Sequence, residues 1–323
     1  MKEKEFINII KNVLQSDYIG DDCAYLKDLG IVVSQDSLVE DVHFKRDLIS
    51  PYQLGYKSVM VNISDICASG AKPAYLTISL SLPNDIDSDF VKEFYEGAKK
   101  ACLTPLPLGE EVSIVGGDIT SADKIYVSVC AIGAAQGHSI SSRKNAKEGY
   151  KVVVSGLHGS SCAGLKLLLE GKTEPQKFIK AHLEPIAQSE FSQKISIYCY
   201  SEEAKRPKNL PSFKDKILYA MMDTSDGLMD ALSTIANESG VLLEIDFDKI
   251  PHDKDLEQFN SWQDMVLFGG EDYGLVAVVP QEFDGGTKIG SVKQGFGVDI
   301  NIDGKTIHYS KQDVENRIFN HFN

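Results

Sequence analysis

Ser50-Pro-Tyr-Gln-Leu-Gly-Tyr-Lys-Ser-Val-Met-Val-Asn-Ile-Ser-Asp-Ile-Cys-Ala-Ser69 reads as one helix. A serine caps it, and a proline follows at the first helical position, where its missing N–H costs nothing. Leu54, Val61 and Ala68 share one face, while Asn62, Asp65 and Ser69, at i, i+3 and i+7, form a separate polar stripe. Such a stripe is either solvated surface or the lining of a cleft. Outward from this helix, β-like runs alternate with helical patterns. Cys23 to Leu26 and Ile31 to Ser34 precede it, and Ala74 to Ser81 follows. A helix over Ser88 to Cys102 carries its apolar residues on one face, and strands over Val112 to Val115 and Ile125 to Ile132 come next. The polar stretch Gly137 to Gly149 closes this first unit. Lys151-Val-Val-Val154 opens a second series, with a helix over Ala163 to Glu170, a strand over Ile217 to Met222, an amphipathic helix from Leu228 ended by Gly240, and a strand over Gly274 to Val279. The pattern predicts an α/β protein of two domains, 1–147 and 148–323, in keeping with a 323-residue chain that exceeds what one core organises.

Composition narrows the partners. With 33 basic against 47 acidic residues, a formal charge of −14, the chain lacks the clustered cations that nucleic-acid binding requires. The excess carboxylate either solvates the surface or holds metal ions. No apolar run approaches a membrane span, and the mixed-charge start Met1-Lys-Glu-Lys-Glu-Phe-Ile-Asn8 is no secretory signal, so a cytoplasmic protein is expected. Cysteines 23, 67, 102, 130, 162 and 199 stand singly, without a CxxC pair, as reduced thiols do.

Glycines and aspartates cluster where backbone N–H groups and carboxylates can share a phosphate and its magnesium. The common nucleotide loops fail: Gly171-Lys-Thr173 has Lys166 where a P-loop needs glycine, and Gly295-Phe-Gly297 lacks a third glycine and a following helix. What remains is a set of acidic elements: Ile19-Gly-Asp-Asp-Cys-Ala24, Ser34-Gln-Asp-Ser-Leu-Val-Glu-Asp-Val-His-Phe44, Asn62-Ile-Ser-Asp65, Val115-Gly-Gly-Asp118 and Asp223-Thr-Ser-Asp-Gly227. Singly, each is a turn or helix cap. Magnesium takes one or two carboxylates per ion, so dispersed aspartates imply several ions bridging phosphates.

In chain order, these elements, together with Gly159-Ser-Ser-Cys-Ala-Gly-Leu165, Gly269-Gly-Glu-Asp-Tyr273 and Asn320-His-Phe322, resemble the thiamine-monophosphate kinase family. That family belongs to the superfamily of aminoimidazole ribonucleotide synthetase, selenophosphate synthetase and a hydrogenase-maturation protein. The resemblance implies a two-domain aminoimidazole ribonucleotide synthetase-like fold whose N-terminal domains pair into a barrel, hence a homodimer. It also implies ATP-dependent phosphorylation of thiamine monophosphate to thiamine diphosphate, with several Mg²⁺ ions and no covalent enzyme intermediate. Alignment and charge neutralisation would then do most of the catalytic work. By the same resemblance, Asp22, Ser34, Gln35, Asp36, Asp65, Asp118, Asp223 and Asp226 are metal ligands, with Gln35 acting through its backbone. Tyr95, Gly117, Asp118, Arg143 and Ser225 contact ATP; His43, Glu271 and Phe319 face thiamine monophosphate; Asp118, Arg143 and Asp226 are catalytic.

From the residues alone, Arg143 reads as a solvated loop arginine, His43 as a core histidine beside Val42 and Phe44, and Glu271 as a turn carboxylate. Departures from the family pattern are Gln35 for Thr or Ser, Ile119 for Thr, Glu184 for a common Arg, and Phe319 for Trp or Tyr; the stretches 103–111 and 198–215 are long. The competing readings are another ATP-using superfamily member or an inactive nucleotide-binding regulator. The hydrogenase-maturation relative needs a C-terminal cysteine where this chain has Asn320-His-Phe-Asn323, and selenophosphate synthetase needs a Cys or selenocysteine with a Lys ahead of Cys23.

Overall fold

The computed structural model describes residues 2–16, 18–104, 111–204 and 217–318; Phe319 and much of the two long stretches lie outside them. Helix α1 (Lys2–Leu14) leads into β1 (Ala24–Leu26) and β2 (Ile31–Val39). Then come α2 (Pro51–Ser69), β3 (Lys72–Leu82), α3 (Ser88–Cys102), β4 (Ser113–Ser121) and β5 (Tyr126–Ala134). These five strands form one sheet in the order β1-β2-β5-β3-β4, antiparallel except for the β3–β4 pair. The second half contributes β6 (Lys151–Val154), α4 (Ser160–Leu169), α5 (Gln176–Leu183), α6 (Ser189–Ala204), β7 (Ala220–Asp223), α7 (Leu228–Ser239), β8 (Leu242–Asp246) and α8 (Trp262–Phe268). It ends with β9 (Leu275–Val279), β10 (Thr287–Lys293), β11 (Gly297–Ile302), β12 (Lys305–Tyr309) and α9 (Lys311–Glu315). Its seven-stranded sheet runs β12-β11-β8-β10-β6-β9-β7, with only the β8–β11 pair parallel.

Helix α2 is the part that joins the halves. Ser50 caps it by accepting from the Gln53 N–H, and Gln53 returns its side chain to the Ser50 N–H. One side of the helix packs on β2, β3 and β5 and the other on β7 of the second sheet, so nearly every residue from Leu54 to Ser69 is buried. The polar stripe is therefore internal. Asn62 accepts from the Asp36 N–H at 3.1 Å and donates to the Ser58 carbonyl at 2.9 Å, and Ser69 donates to the Ile66 carbonyl. Two glycines set how closely α3 lies against α2. A Cβ on Gly55 would stand 1.9 Å from the Phe94 carbonyl oxygen, and one on Gly97 would stand 1.8 Å from that of Tyr52. At such a crossing any larger residue forces the helices apart.

Two strands run further than their sequences announce. β2 continues through Gln35 and Asp36 to Val39, and Val115-Gly-Gly-Asp118 lies inside β4 rather than at a strand end. Both tolerate polar residues because α2 covers only one face of their sheet and β4 is an edge strand. Gln35 illustrates the alternation. Its neighbours Ser34 and Asp36 share the face of buried Ala131 and Val129, while Gln35 pairs with Cys130 and bonds Ser128 on the opposite face. Its side chain is thus directed away from the aspartates, leaving only its backbone for a contact there.

Candidate active site

Three acidic side chains from three distant segments converge where α2 meets both sheets. One carboxylate oxygen each of Asp22, Asp65 and Asp223 lies within 4.8 Å of the other two. Asp22 comes from the turn before β1, Asp65 from the polar stripe of α2, and Asp223 from the end of β7. Their neighbours are hydroxyls. Ser34 on β2 donates a short hydrogen bond to Asp65, while Ser64 and Ser225 donate to the two oxygens of Asp223 at 2.6 and 2.8 Å.

Burial and proximity make this a site of unresolved negative charge. Burial raises the Asp65 carboxyl well above the usual carboxylate range, and the charges of Asp36, Asp223 and Asp22 push it further. Asp223 is pushed up to about 7, first by burial and then by Asp22, although the Ser64 and Ser225 hydroxyls pull the other way. Asp22 is raised by burial but held back by Arg143, whose guanidinium donates to it at 2.8 Å. Arg143 is no solvated loop residue: its side chain is 20% exposed, and its guanidinium also donates to the Gly20 carbonyl at 3.3 Å.

A cavity of about 440 Å³ opens beside the trio between the two halves, walled by Asp36, His43, Lys57, Ser225, Asp226 and Glu271 among others. His43 turns its Nδ1 inward to accept from the Val39 N–H at 3.0 Å. Lys57, in the middle of α2 and 1% exposed, places its ammonium 3.1 Å from Glu271. His182, from α5, puts Nδ1 3.3 Å from Glu271 and 3.0 Å from the Ser161 hydroxyl. Burial, and then the Lys57 charge, hold His182 down to about 4, so the cation facing Glu271 at neutral pH is Lys57. Burial is the largest influence on Glu271 and would raise it, yet the charge and hydrogen bond of Lys57, together with His182 and His43, keep the carboxylate below its ordinary value.

Backbone conformation aims this wall. Glu271 and Tyr273 both adopt left-handed φ, +62° and +50°, a strain that persists only where the surroundings impose it. Asp272 between them accepts from the Gly159 and Ser161 N–H groups at the start of α4, and the Glu271 N–H bonds the Ser225 carbonyl at 2.7 Å. The Gly-Gly-Glu-Asp-Tyr segment is thereby tied to both α4 and the Asp223 turn. A second cavity, of about 1170 Å³, lies on the other side of Asp22 between α1, the segment 135–142 and Tyr200 of α6.

Asp22, Ser34, Asp65, Arg143, Asp223 and Ser225 are thus brought together, and Asp36, His43, Asp226 and Glu271 line the adjoining cavity. Tyr95, Gly117 and Asp118 line neither cavity. Tyr95 lies half-buried on α3 with its ring against Phe94, and Asp118 is exposed on the edge strand, in one cross-strand row with Ser79, Ser128 and Ser37. Sequence reasoning missed Lys57 and His182. A lysine inside an otherwise buried helix was the available signal; His182 offered none beyond its place next to Leu183 and Glu184.

The chain is similar to known proteins along most of its length. Residues 20–135 match the model for the AIR synthase related protein N-terminal domain, and residues 147–289 match that for its C-terminal domain. The thiamine-monophosphate kinase of Aquifex aeolicus (strain VF5) is 35% identical over 316 residues, covering 93% of this chain and 94% of that protein. The chain belongs to the thiamine-monophosphate kinase family. The Bacillus subtilis (strain 168) kinase is 37% identical over 276 residues, covering 82% of this chain and 78% of its own. The solved structure of AaThiL complexed with AMPPCP and TMP superimposes with a TM-score of 0.81 at 34% identity, covering 96% of this chain and 97% of that one. Within this kinase family, the AIR synthase-like fold accounts for two sheets bridged by one buried helix.

Proposed function

We infer that this chain transfers the γ-phosphoryl group of ATP to the phosphate of thiamine monophosphate, forming thiamine diphosphate. The observation that carries this reading is the carboxylate trio beside a cavity whose wall carries Asp36, Ser225, Asp226 and Glu271, in a chain that aligns over nearly its whole length with kinases of this name. Joining two phosphate-bearing substrates demands neutralisation of both anions, and this site supplies oxygen donors for that purpose.

The residues present fit magnesium. Asp22, Asp65 and Asp223 offer only hard oxygen ligands, and their mutual repulsion is relieved by a divalent cation. Asp36 and Asp226 at the cavity wall would extend the set to further ions, with Ser34 and the Gln35 backbone assisting. Bound there, magnesium would neutralise phosphate oxygens. The chain's own part is orientation. Arg143 supplies a planar donor for the nucleotide phosphate, the Ser225 hydroxyl stands at the Asp223 turn, and ionised Glu271 complements the positive thiazolium ring of the acceptor, with Lys57 fixing its carboxylate. Tyr95, Gly117 and Asp118 would serve ATP, and Asp118 a metal ion as well.

Thiamine monophosphate is expected to be converted to thiamine diphosphate in the presence of ATP and magnesium, and unphosphorylated thiamine is not, as chromatography of the products can establish. Equal turnover of thiamine, or turnover of neither, overturns the assignment.

We further propose that two copies pair through the first sheet. Its face away from α2 carries exposed Tyr75 and Tyr126, and edge strand β4 exposes Val115 and Ile119 as well. Sedimentation equilibrium should therefore give twice the 35.5 kDa chain mass, and a monomer at micromolar concentration excludes this pairing. The six unpaired cysteines suit a reducing compartment such as the cytoplasm.

A further inference from the structure

Arg143 is anchored by its backbone and poorly held by its side chain. Its N–H donates to Asp21 at 2.8 Å, and its carbonyl accepts from the Ser239 hydroxyl at 2.7 Å, so the main chain is pinned from two sides. The guanidinium makes a single contact to Asp22 and one long bond to the Gly20 carbonyl, and its buried Nε has no partner among the described residues. A permanent structural arginine at a carboxylate normally takes the two-pronged geometry and satisfies its donors. Asp22, meanwhile, belongs to two constellations at once: it pairs with Arg143 and forms one corner of the carboxylate trio.

We propose that Arg143 is an internal counter-ion that competes with the divalent cation for Asp22, so that loading the trio frees the guanidinium to meet the nucleotide phosphate. This rests on the trio being the cation site. In the metal-free chain the guanidinium offsets part of the buried negative charge. Were Asp22 to ligate a cation, the guanidinium would lose its partner and face a like charge, and its fixed backbone leaves side-chain rotation as its route away. Metal and nucleotide binding are thereby ordered: the arginine becomes available once the cation is in place.

The test is a calorimetric Mn²⁺ titration of the metal-free full chain without nucleotide, for the wild type, Arg143→Gln and Asp65→Asn. Removing the competing cation is expected to tighten Mn²⁺ binding by about tenfold in Arg143→Gln, the size of one strongly screened charge interaction. The upward shift of the melting temperature by saturating Mn²⁺ should be correspondingly larger than in the wild type. Arg143→Lys keeps a charge at the position and should fall between the two, which guards against a folding defect in the glutamine variant. Unchanged or weaker Mn²⁺ binding in both Arg143 variants, with binding lost in Asp65→Asn, overturns the counter-ion role alone. Equal Mn²⁺ affinity in Asp65→Asn and the wild type removes both this role and the reading of the trio as a cation site.

Discussion

Asp65→Asn is expected to lower the turnover number by at least about 10²- to 10³-fold, the loss typical of removing one preorganised charge-stabilising group, while raising the melting temperature of the metal-free chain. The two effects have opposite signs because the same repulsion that would draw cations to the trio weakens the fold without them. Burial and three neighbouring carboxylates raise Asp65 far above its unfolded value, so its charge is a liability in the folded metal-free state. Asparagine removes that liability and can still accept the hydrogen bond from Ser34.

The pH dependence carries the same sign. A carboxyl whose folded pKa is raised holds a proton that the unfolded chain has already released. Metal-free stability therefore falls as pH rises from about 4, where an unfolded Asp titrates, towards about 7, the value reached by Asp223. Melting temperatures in EDTA at pH 5 and pH 8 should show that drop in the wild type and a smaller one in Asp65→Asn. Asp226→Asn provides the contrast. Asp226 is exposed on the cavity wall, so its substitution should abolish activity without moving the metal-free melting temperature. Loss of metal-free stability in both variants, with activity falling only in proportion, would mean that these aspartates cap turns and helices.

Features that depend on local chemistry were legible in the sequence. Ser50, Pro51 and the apolar spacing delimited α2 to the residue, and α3, β6 and the Gly240 stop of α7 followed from equally local signals. The extensions of β2 and β4 were not legible, because they depend on whether the far side of a sheet is covered, which no window of residues reports. The stripe Asn62, Asp65 and Ser69 posed the same question from the other direction. Its residues were visible, but the choice between solvent and cleft required β7 to lie against the helix. Asp22, Asp65 and Asp223 are far apart in the chain, and nothing in their spacing joins them; the family motifs did so. Lys57 and His182 escaped because their importance comes from Glu271, a partner on a different segment.

Arg143→Ala is expected to reduce kcat/KM for ATP by roughly 2 to 4 kcal/mol of transition-state stabilisation, the range for one preorganised donor to a phosphate or oxyanion. The wild-type arginine is already desolvated beside the trio, and its pinned backbone leaves only a side-chain rotation between it and a phosphate bound there. Arg143→Lys should recover only part of the loss, since an ammonium supplies a point charge in place of a planar fork. The neighbouring Lys144 is exposed and serves as the control. If Arg143 merely braced Asp22, the alanine variant would lose stability without changing kcat/KM for ATP, and lysine would restore the pairing and with it most of that stability. A role towards the nucleotide instead lowers kcat/KM in both variants at temperatures where they remain folded. Steady-state kinetics of Arg143→Ala, Arg143→Lys and Lys144→Ala separate the two, and an alanine variant no worse than the control would exclude Arg143 from the nucleotide site.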